Sequence, residues 1–423
     1  MSENVLLLCG RALPMTGQKP EGPQVIEIAD DRIVSIRAVD ESARSARGIR
    51  DLSRFTVLPG LIDSHTHLDF DVLAGLEAQQ AAVDDAELAM RMVNRGLVNI
   101  QMGVTTVRLV GSRNFIDLTY RRDVEAGRLA GPRVVTATRA IQTSLCGRRP
   151  NLLTLDAADA MRAAIRENIV RGADLIKIFH GGFVGVHRDS TLPVMSPQEL
   201  SACIEESNRF GLEVTAHAYG GLSVDQCLEA GVDCIEHGFF MSARQYARGA
   251  ELGRWVVPTL GVFLAEPGIP ELPHWSPSIR ERLRGARDAT WKSIGLLKAS
   301  GMRFALSTDA NHGGLAYEGV YAAMGGMTNE EALAGLTAHG GRLCGKPDEI
   351  GVLKPGAYAD ILAVEGDPLR DLRALLEVRC VLKGGVEVYP TIEQRGPKPL
   401  GGCPRAAYQE TNSETGLALQ DAV

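Results

Sequence analysis

The sequence lacks the features that mark several large classes of protein. No apolar run approaches the ~20 residues that a membrane-spanning helix requires. Acidic and basic residues are mixed along the chain, with a formal net charge of -7, and no basic patch suggests nucleic acid as a partner. The eight cysteines form no Cys-x-x-Cys pair, which argues against a disulfide framework and against a zinc–thiolate site.

The segment Met1–Gly10 also lacks the pattern of a secretory signal, in which a basic stretch precedes a long apolar stretch and a small-residue cleavage site. We therefore expect a cytoplasmic protein with no membrane contact. Apolar residues make up 45% of the chain and charged residues 23%, which is the balance of an ordinary globular protein.

Between residues 55 and 310, short apolar runs typical of buried parallel strands alternate with longer helical segments. The candidate strands are Thr56–Ser64, Val104–Val110, Arg133–Arg139, Asp174–Phe179, Glu213–Ala218, Cys234–His237, Trp255–Leu260 and Arg303–Thr308. Eight strand–helix units predict a (β/α)8 barrel rather than an open doubly wound sheet. No Gly-x-Gly-x-x-Gly follows the first strand, which also argues against dinucleotide binding.

Helix boundaries within this region follow from capping signals. Helices are predicted over Asp84–Gln101 and over Asp156–Arg171, each opening with an acidic residue. A third helix begins after Ser196, because a capping serine followed by proline and, three residues on, by glutamate is a typical helix start.

The two ends of the chain have a different pattern. Val25–Ile36 alternates apolar and polar residues around an Asp-Asp turn, and Tyr358–Val364 and Cys380–Tyr389 resemble further antiparallel strands. Together they predict a small β-sandwich. The predicted domains are the N-terminal part of the sandwich (1–57), the barrel (58–349), the C-terminal part of the sandwich (350–390) and a tail or oligomer arm (391–423).

Potential metal ligands stand where the candidate strands end, and this end of a barrel is the one that carries catalytic residues. Taken singly, each has a simpler explanation: a histidine can merely pack, an aspartate can cap a helix, and a lysine head can reach the barrel mouth. Taken together, they would converge on one cavity as ligands for zinc, manganese or iron. The residues are His65, His67, Lys177, His217, His237 and Asp309.

The motifs around these residues resemble the amidohydrolase superfamily, and more narrowly its prolidase-like (Xaa-Pro dipeptidase-like) and imidazolonepropionase-like branch. The stretches that carry the resemblance are Asp63-Ser64-His65-Thr66-His67, Ile176-Lys177-Ile178, Ala216-His217-Ala218-Tyr219, Glu236-His237-Gly238 and Thr308-Asp309-Ala310. The resemblance covers roughly residues 20–390.

The resemblance implies two divalent metal ions, with Zn²⁺ as the expected metal. His65, His67 and Asp309 would bind the more buried ion, whereas His217 and His237 would bind the more exposed one. Lys177 would carry CO₂ as a carbamate that bridges both ions. A hydroxide activated by the ions would be the nucleophile, with Asp309 as its proton acceptor.

The expected function is cleavage of an amide-type C–N bond in a small molecule: an N-acyl amino acid, a dipeptide, or an aryl amide, carbamate or urea. One alternative is a mononuclear deaminase or cyclic-amide hydrolase of the same superfamily. Deaminases typically lack the bridging lysine and have a glutamate shortly after the histidine of strand five, whereas this chain has Lys177 and follows His217 with Ala-Tyr-Gly. A second alternative is an inactive scaffold member.

Substrate contacts are assigned from the same resemblance. Tyr219 matches a substrate-contacting tyrosine of the branch. Cys146 stands where the dipeptidases usually have a histidine, and His180 replaces a serine, while His312 adds polarity after strand eight. These departures favour a substrate with an apolar or aromatic group over an Xaa-Pro dipeptide. We also expect a homo-oligomer.

Overall fold

The computed structural model describes residues 5–17, 22–41, 48–70, 83–147, 152–266, 268–271 and 275–389. The predicted tail at 391–423 lies outside these residues. The strands are β1 Val5–Ala12, β2 Gln24–Ala29, β3 Arg32–Ala38, β4 Arg50–Pro59, β5 Leu61–Thr66, β6 Val104–Leu109, β7 Arg133–Thr136, β8 Ile141–Gln142, β9 Leu153–Thr154, β10 Ile176–Phe179, β11 Val214–Gly220, β12 Cys234–Phe240, β13 Trp255–Val257, β14 Arg303–Phe304, β15 Ile361–Val364, β16 Val378–Lys383 and β17 Val386–Tyr389.

The α-helices of the described residues alternate with the strands of the central region. They are α1 Asp85–Gln101, α2 Ile116–Glu125, α3 Ala158–Arg171, α4 Pro197–Asn208, α5 Gly221–Ala230, α6 Ala243–Glu251, α7 Gly261–Leu264, α8 Pro277–Ser300, α9 Leu315–Met324, α10 Asn329–Gly335 and α11 Ala338–Leu343. No helix in the described ranges is both long enough and apolar enough to cross a membrane.

The central strands form the predicted (β/α)8 barrel. Parallel pairing joins β5, β6 and β7, and a second parallel series runs through β8 and β10 to β14. The backbone N–H of Asp174 donates to Thr136 O at 2.8 Å and links the two series. The N–H of Asp309 donates to His65 O at 2.9 Å, so the last strand end meets the first and the ring closes.

The first predicted strand, Thr56–Ser64, is two strands. The chain changes sheets at Gly60, where an added Cβ would lie 2.0 Å from Thr105 Oγ1. On one side, β4 pairs with β1 and β15 outside the barrel, and on the other side β5 pairs with β6 inside it. The continuous apolar run gave no sign of this change, because both strands are buried.

The strands from the two chain ends form the predicted β-sandwich domain. Their hydrogen-bonded order is β17-β16-β15-β4-β1-β2-β3, and this domain has its own apolar cluster, which includes Leu7, Ile26 and Ile361. The predicted hairpin is confirmed: β2 and β3 are antiparallel, with Asp30 in a left-handed conformation at the turn.

Two of the predicted helix starts are confirmed and one is wrong. Asp84 caps α1 by accepting from the Glu87 N–H, and Ser196 forms a capping box with Glu199. Asp156 does not cap α3; its carboxylate accepts hydrogen bonds from the backbone N–H and hydroxyl of Ser144 at 3.0 Å. Aspartate serves equally well in loop and cap hydrogen bonds, so the sequence could not separate them.

Candidate active site

Three of the predicted ligands lie close enough to share one ion. Ligand atoms of His65, His237 and Asp309 all lie within 4.8 Å of one another. His65 Nε2 is 3.2 Å from Asp309 Oδ1, and His67 Nε2 is 3.6 Å from the same oxygen. A carboxylate and imidazoles at these separations form a typical donor set for a divalent transition metal.

With His217 included, the four histidines form a continuous group of neighbouring imidazole rings. The rings of His217 and His237 have centroids 4.6 Å apart, and His237 is 5.0 Å from His65. His65 and His67 are 5.5 Å apart. Residues from strands β5, β11 and β12 therefore meet at one end of the barrel, where the closing strand end contributes Asp309.

Lys177 lies within this group and is 1% exposed. Its Nζ has no hydrogen-bond partner among the described residues and stands 5.0 Å from the Phe179 ring centroid. Burial lowers the pKa of this amine from 10.5 to about 8. A buried amine without a hydrogen bond is costly for the fold, so protein stability does not explain why Lys177 lies here.

Two of the histidines, His67 and His237, are held in the neutral state that binds metals. Burial lowers the pKa of His67 to about 4 and that of His237 to about 3, so both imidazoles are neutral at pH 7. Burial alone would raise the pKa of Asp309, but the neighbouring histidines, His65 foremost, lower it well below its ordinary range. Burial would also lower the pKa of His65, but the neighbouring carboxylates, Glu236 foremost, raise it above its ordinary value. The site thus presents two neutral imidazoles and an ionised carboxylate, with His65 held between two carboxylates.

Two ligand positions have strained backbones. His237 has φ 74° and Asp309 has φ 49°, with Ala310 following at φ 68°. Non-glycine residues seldom adopt the left-handed region, and such strain concentrates at functional sites. Asp63 stabilises the second of these turns, because its carboxylate accepts from the Thr308 N–H at 3.1 Å and from the Thr308 hydroxyl at 2.6 Å.

The histidines His65, His67 and His237 each have a hydrogen-bond partner at the ring nitrogen Nδ1. His65 Nδ1 lies 2.6 Å from Glu236 Oε2, His67 Nδ1 lies 2.9 Å from Gly111 O, and His237 Nδ1 lies 2.8 Å from Thr259 Oγ1. Such partners fix the orientation and tautomer of a metal-binding imidazole.

Behind His65 lies a set of buried polar residues that we call the polar wall: His65, Arg108, Thr215 and Glu236. Arg108 donates to Glu236 Oε1 at 2.9 Å, and the Thr215 hydroxyl bonds the same oxygen. Sequence reasoning missed Arg108 and the role of Glu236. A signal was present, since Arg108 is a charged residue inside the apolar run of β6, as Lys177 is inside β10.

Beside His217 lies an aromatic wall, formed by Phe179, Phe183, Tyr219 and Phe239. The ring centroids of Phe183 and Tyr219 are each 4.6 Å from that of His217, and the Phe179 centroid is 4.9 Å from it. Tyr219 and Phe239 are 4.3 Å apart. Of the predicted substrate residues, Tyr219 is therefore placed directly beside the ligand imidazoles.

The other predicted substrate residues have contacts with groups other than the predicted ligands. Cys146 is buried in an apolar cluster that includes Phe179. His180 Nε2 is 3.0 Å from Gln226 Oε1 of α5, and His312 Nε2 is 2.8 Å from Phe70 O. Both imidazoles are thus hydrogen-bonded to residues outside the ligand set.

Known proteins resemble the chain over most of its length. The model of the amidohydrolase family matches residues 56–388. Ochratoxinase from Aspergillus niger is 27% identical over 425 residues, covering 90% of this chain and 85% of that protein. Imidazolonepropionase from Hahella chejuensis is 23% identical over 380 residues, covering 79% of this chain and 85% of that protein.

Among solved structures, a Xaa-Pro dipeptidase with methionine bound in its active site superposes with a TM-score of 0.82 at 27% identity, covering 91% of this chain and 99% of that chain. The relatives and the structure agree with the branch that the motifs resemble. The chain therefore belongs to the amidohydrolase family, whose members depend on metals, and it is a hydrolase of C–N bonds.

Proposed function

We propose that the protein is a binuclear metallohydrolase that cleaves an amide-type C–N bond in a small molecule. The observation that carries the proposal is Lys177: a buried amine without a hydrogen bond, in a site with four histidines and Asp309. A lone metal bound by imidazoles and a carboxylate does not need this lysine. A carboxylated lysine, in contrast, supplies two anionic oxygens for a second ion.

The donor set fits two divalent cations, for which Zn²⁺ is the best candidate. His65, His67 and Asp309 would hold one ion, His217 and His237 the other, and the Lys177 carbamate would contact both. When bound, the pair supplies Lewis-acid chemistry: water becomes a nucleophile at neutral pH and the scissile carbonyl is polarised. A pKa of about 8 leaves Lys177 a usable fraction of free amine for reaction with CO₂.

Asp309 is the proposed proton carrier. Its neighbours keep the carboxylate ionised, and 19% of its side chain is exposed, so it can reach a substrate as well as a ligand position. It would accept the proton of the attacking water and deliver it to the leaving nitrogen. The turn that carries it is held by Asp63 through Thr308, which limits its movement.

The aromatic wall supports a substrate with an apolar or aromatic group beside the scissile bond. Phe179, Phe183 and Tyr219 surround His217, and Phe239 extends this surface. The proposed class is an N-acyl amino acid, a dipeptide or an aryl amide, carbamate or urea. The names of the relatives, ochratoxinase and Xaa-Pro dipeptidase, agree with this range.

The test combines metal analysis with a substrate panel. Purified protein reconstituted with Zn²⁺ and ¹³C-bicarbonate should hold about two ions per chain and give a carbamate NMR signal that is absent from Lys177→Ala. It should also release an amine from N-acyl amino acids, dipeptides or phenylureas. One ion, no carbamate and release of ammonia alone would instead support the deaminase. No bound metal and no turnover would support the scaffold.

A further inference from the structure

The polar wall contains an ion pair that is almost completely shielded from solvent. Glu236 is 0% exposed and Arg108 is 1% exposed. Burying two charges is expensive, and replacing such a pair with apolar residues often leaves a protein equally stable. A gain in stability therefore does not explain why this ion pair lies in the barrel interior.

The ion pair holds His65 from two directions. Glu236 Oε2 lies 2.6 Å from His65 Nδ1, so the carboxylate accepts the ring N–H and leaves Nε2 free to face Asp309. Arg108 donates both to Glu236 and, at 3.1 Å, to the carbonyl oxygen of Ser64, the residue before His65. One guanidinium therefore fixes the backbone that carries the histidine and the carboxylate that orients its ring.

The imidazoles of His67 and His237 have uncharged partners. The partner of His67 is a neutral carbonyl and that of His237 is a neutral hydroxyl. A carboxylate behind the ring makes an imidazole a stronger electron donor than a neutral partner does, because its negative charge stabilises the positive charge that a bound cation places on the ring. The two proposed metal positions should therefore differ in their affinity for the ion.

We propose that Arg108 and Glu236 act as a positioning pair, which fixes the tautomer of His65 and makes the metal position that includes His65 the tighter of the two. This inference rests on the proposed function, since it requires two bound ions. It assigns neither residue to the chemical step.

The first experiment measures metal release. The reconstituted wild type and Glu236→Gln are mixed with a chelator, and bound metal is followed with time. The wild type should lose its two ions in a fast and a slow phase, and Glu236→Gln should accelerate the slow phase by roughly 10–100-fold. The visible spectrum of the Co²⁺-substituted enzyme should change in the variant, because the geometry around His65 changes.

Glu206→Gln is the matched control. Glu206 is also buried and bonds two arginines, Arg166 and Arg209, but it lies on helix α4, outside the ring of barrel strands. This variant should release metal at the wild-type rate and keep the Co²⁺ spectrum. An equal effect in both variants would show that loss of any buried carboxylate loosens the protein, which would overturn the proposal.

The single variant leaves Arg108 buried without a counter-charge, which can prevent folding. The double variant Arg108→Gln/Glu236→Gln removes both charges, so its thermal stability should lie nearer to the wild type while metal release stays fast. Slow release in the double variant would overturn the positioning role. A wild type that holds fewer than two ions would refute the proposed function, whereas two ions with unchanged release in Glu236→Gln would refute only this inference.

Discussion

The polar wall includes His65 and the aromatic wall contacts His217, and the two consist of residues of opposite character. The polar wall holds Arg108 and Glu236 without access to water. The aromatic wall packs Phe183 and Tyr219 against His217 and has no charged member. A buried, hydrogen-bonded charge is favourable in one geometry only, whereas an apolar surface can contact substrate groups of many shapes.

This difference leads us to expect that the reaction and its specificity depend on different residues. The polar wall includes His65, which the proposed mechanism uses as a metal ligand. The aromatic wall would set which substrate group can lie beside the scissile bond. Variants in the ligand set should therefore affect metal and turnover for every substrate, and variants in the aromatic wall should affect substrates unequally.

The largest effect is expected at Lys177, between the two walls. Lys177→Ala should abolish turnover and lose at least one ion per chain, because the proposed bridge disappears. Metal analysis and amine release measure this. Lys298→Ala is the control, since Lys298 is half-exposed and donates to Gly326 O far from the ligands. Wild-type activity in Lys177→Ala would show that the lysine is part of the strand and has no role in metal binding or catalysis.

Asp309→Asn should reduce kcat by at least about 100-fold while retaining much of the metal. The amide oxygen can still coordinate, but the amide cannot accept a proton at neutral pH. Steady-state kinetics with several substrates should show the same loss for each. Asp225→Asn, at a carboxylate bonded to Arg244, should leave kcat unchanged. An unaltered kcat in Asp309→Asn would limit Asp309 to a ligand.

Phe183→Ala tests the aromatic wall. For substrates with an aromatic group, KM should rise about tenfold, since one aromatic contact contributes about 0.5–1.5 kcal/mol beyond its buried area. For N-acetyl substrates without a ring, KM should change little. Phe210→Ala, at an exposed ring, is the control. Equal changes for both substrate types would show that Phe183 supports the loop rather than the substrate.

Cys146→His should change specificity by a smaller factor. The histidine restores the residue usual in the dipeptidases of this branch, so kcat/KM for Xaa-Pro dipeptides should rise relative to that for aryl amides. Cys146→Ala separates the added imidazole from the lost thiol. Efficient cleavage of Xaa-Pro dipeptides by the wild type would contradict this interpretation of Cys146.

The smallest effect on activity is expected from Asp360→Asn, remote from both walls. Asp360 accepts from the Gly384 N–H at 2.7 Å and from Arg133 at 3.3 Å, and thus connects the β-sandwich to the barrel. The change should lower the free energy of unfolding by about 1–3 kcal/mol, measured by urea denaturation. Turnover below the melting range should match the wild type, and a loss of turnover would indicate coupling between the domains.

The sequence by itself determined the barrel, its eight strands and the placement of the six proposed ligands in or directly after those strands. These follow from local patterns: apolar runs of strand length predict buried strands, and a histidine or lysine in or next to such a run stands out. The branch of the family could also be recognised from the sequence, because the chain carries short motifs of that branch, such as His65-Thr66-His67.

The tertiary structure alone decided which residues support the ligands. Arg108 and Glu236 are 128 positions apart in the chain, and only closure of the barrel brings their side chains together. The change of sheet at Gly60 depends in the same way on a contact with Thr105. Contacts between side chains of different strands produce no periodic pattern in a single sequence. The strands could therefore be predicted from the sequence, but the polar wall could be found only in the tertiary structure.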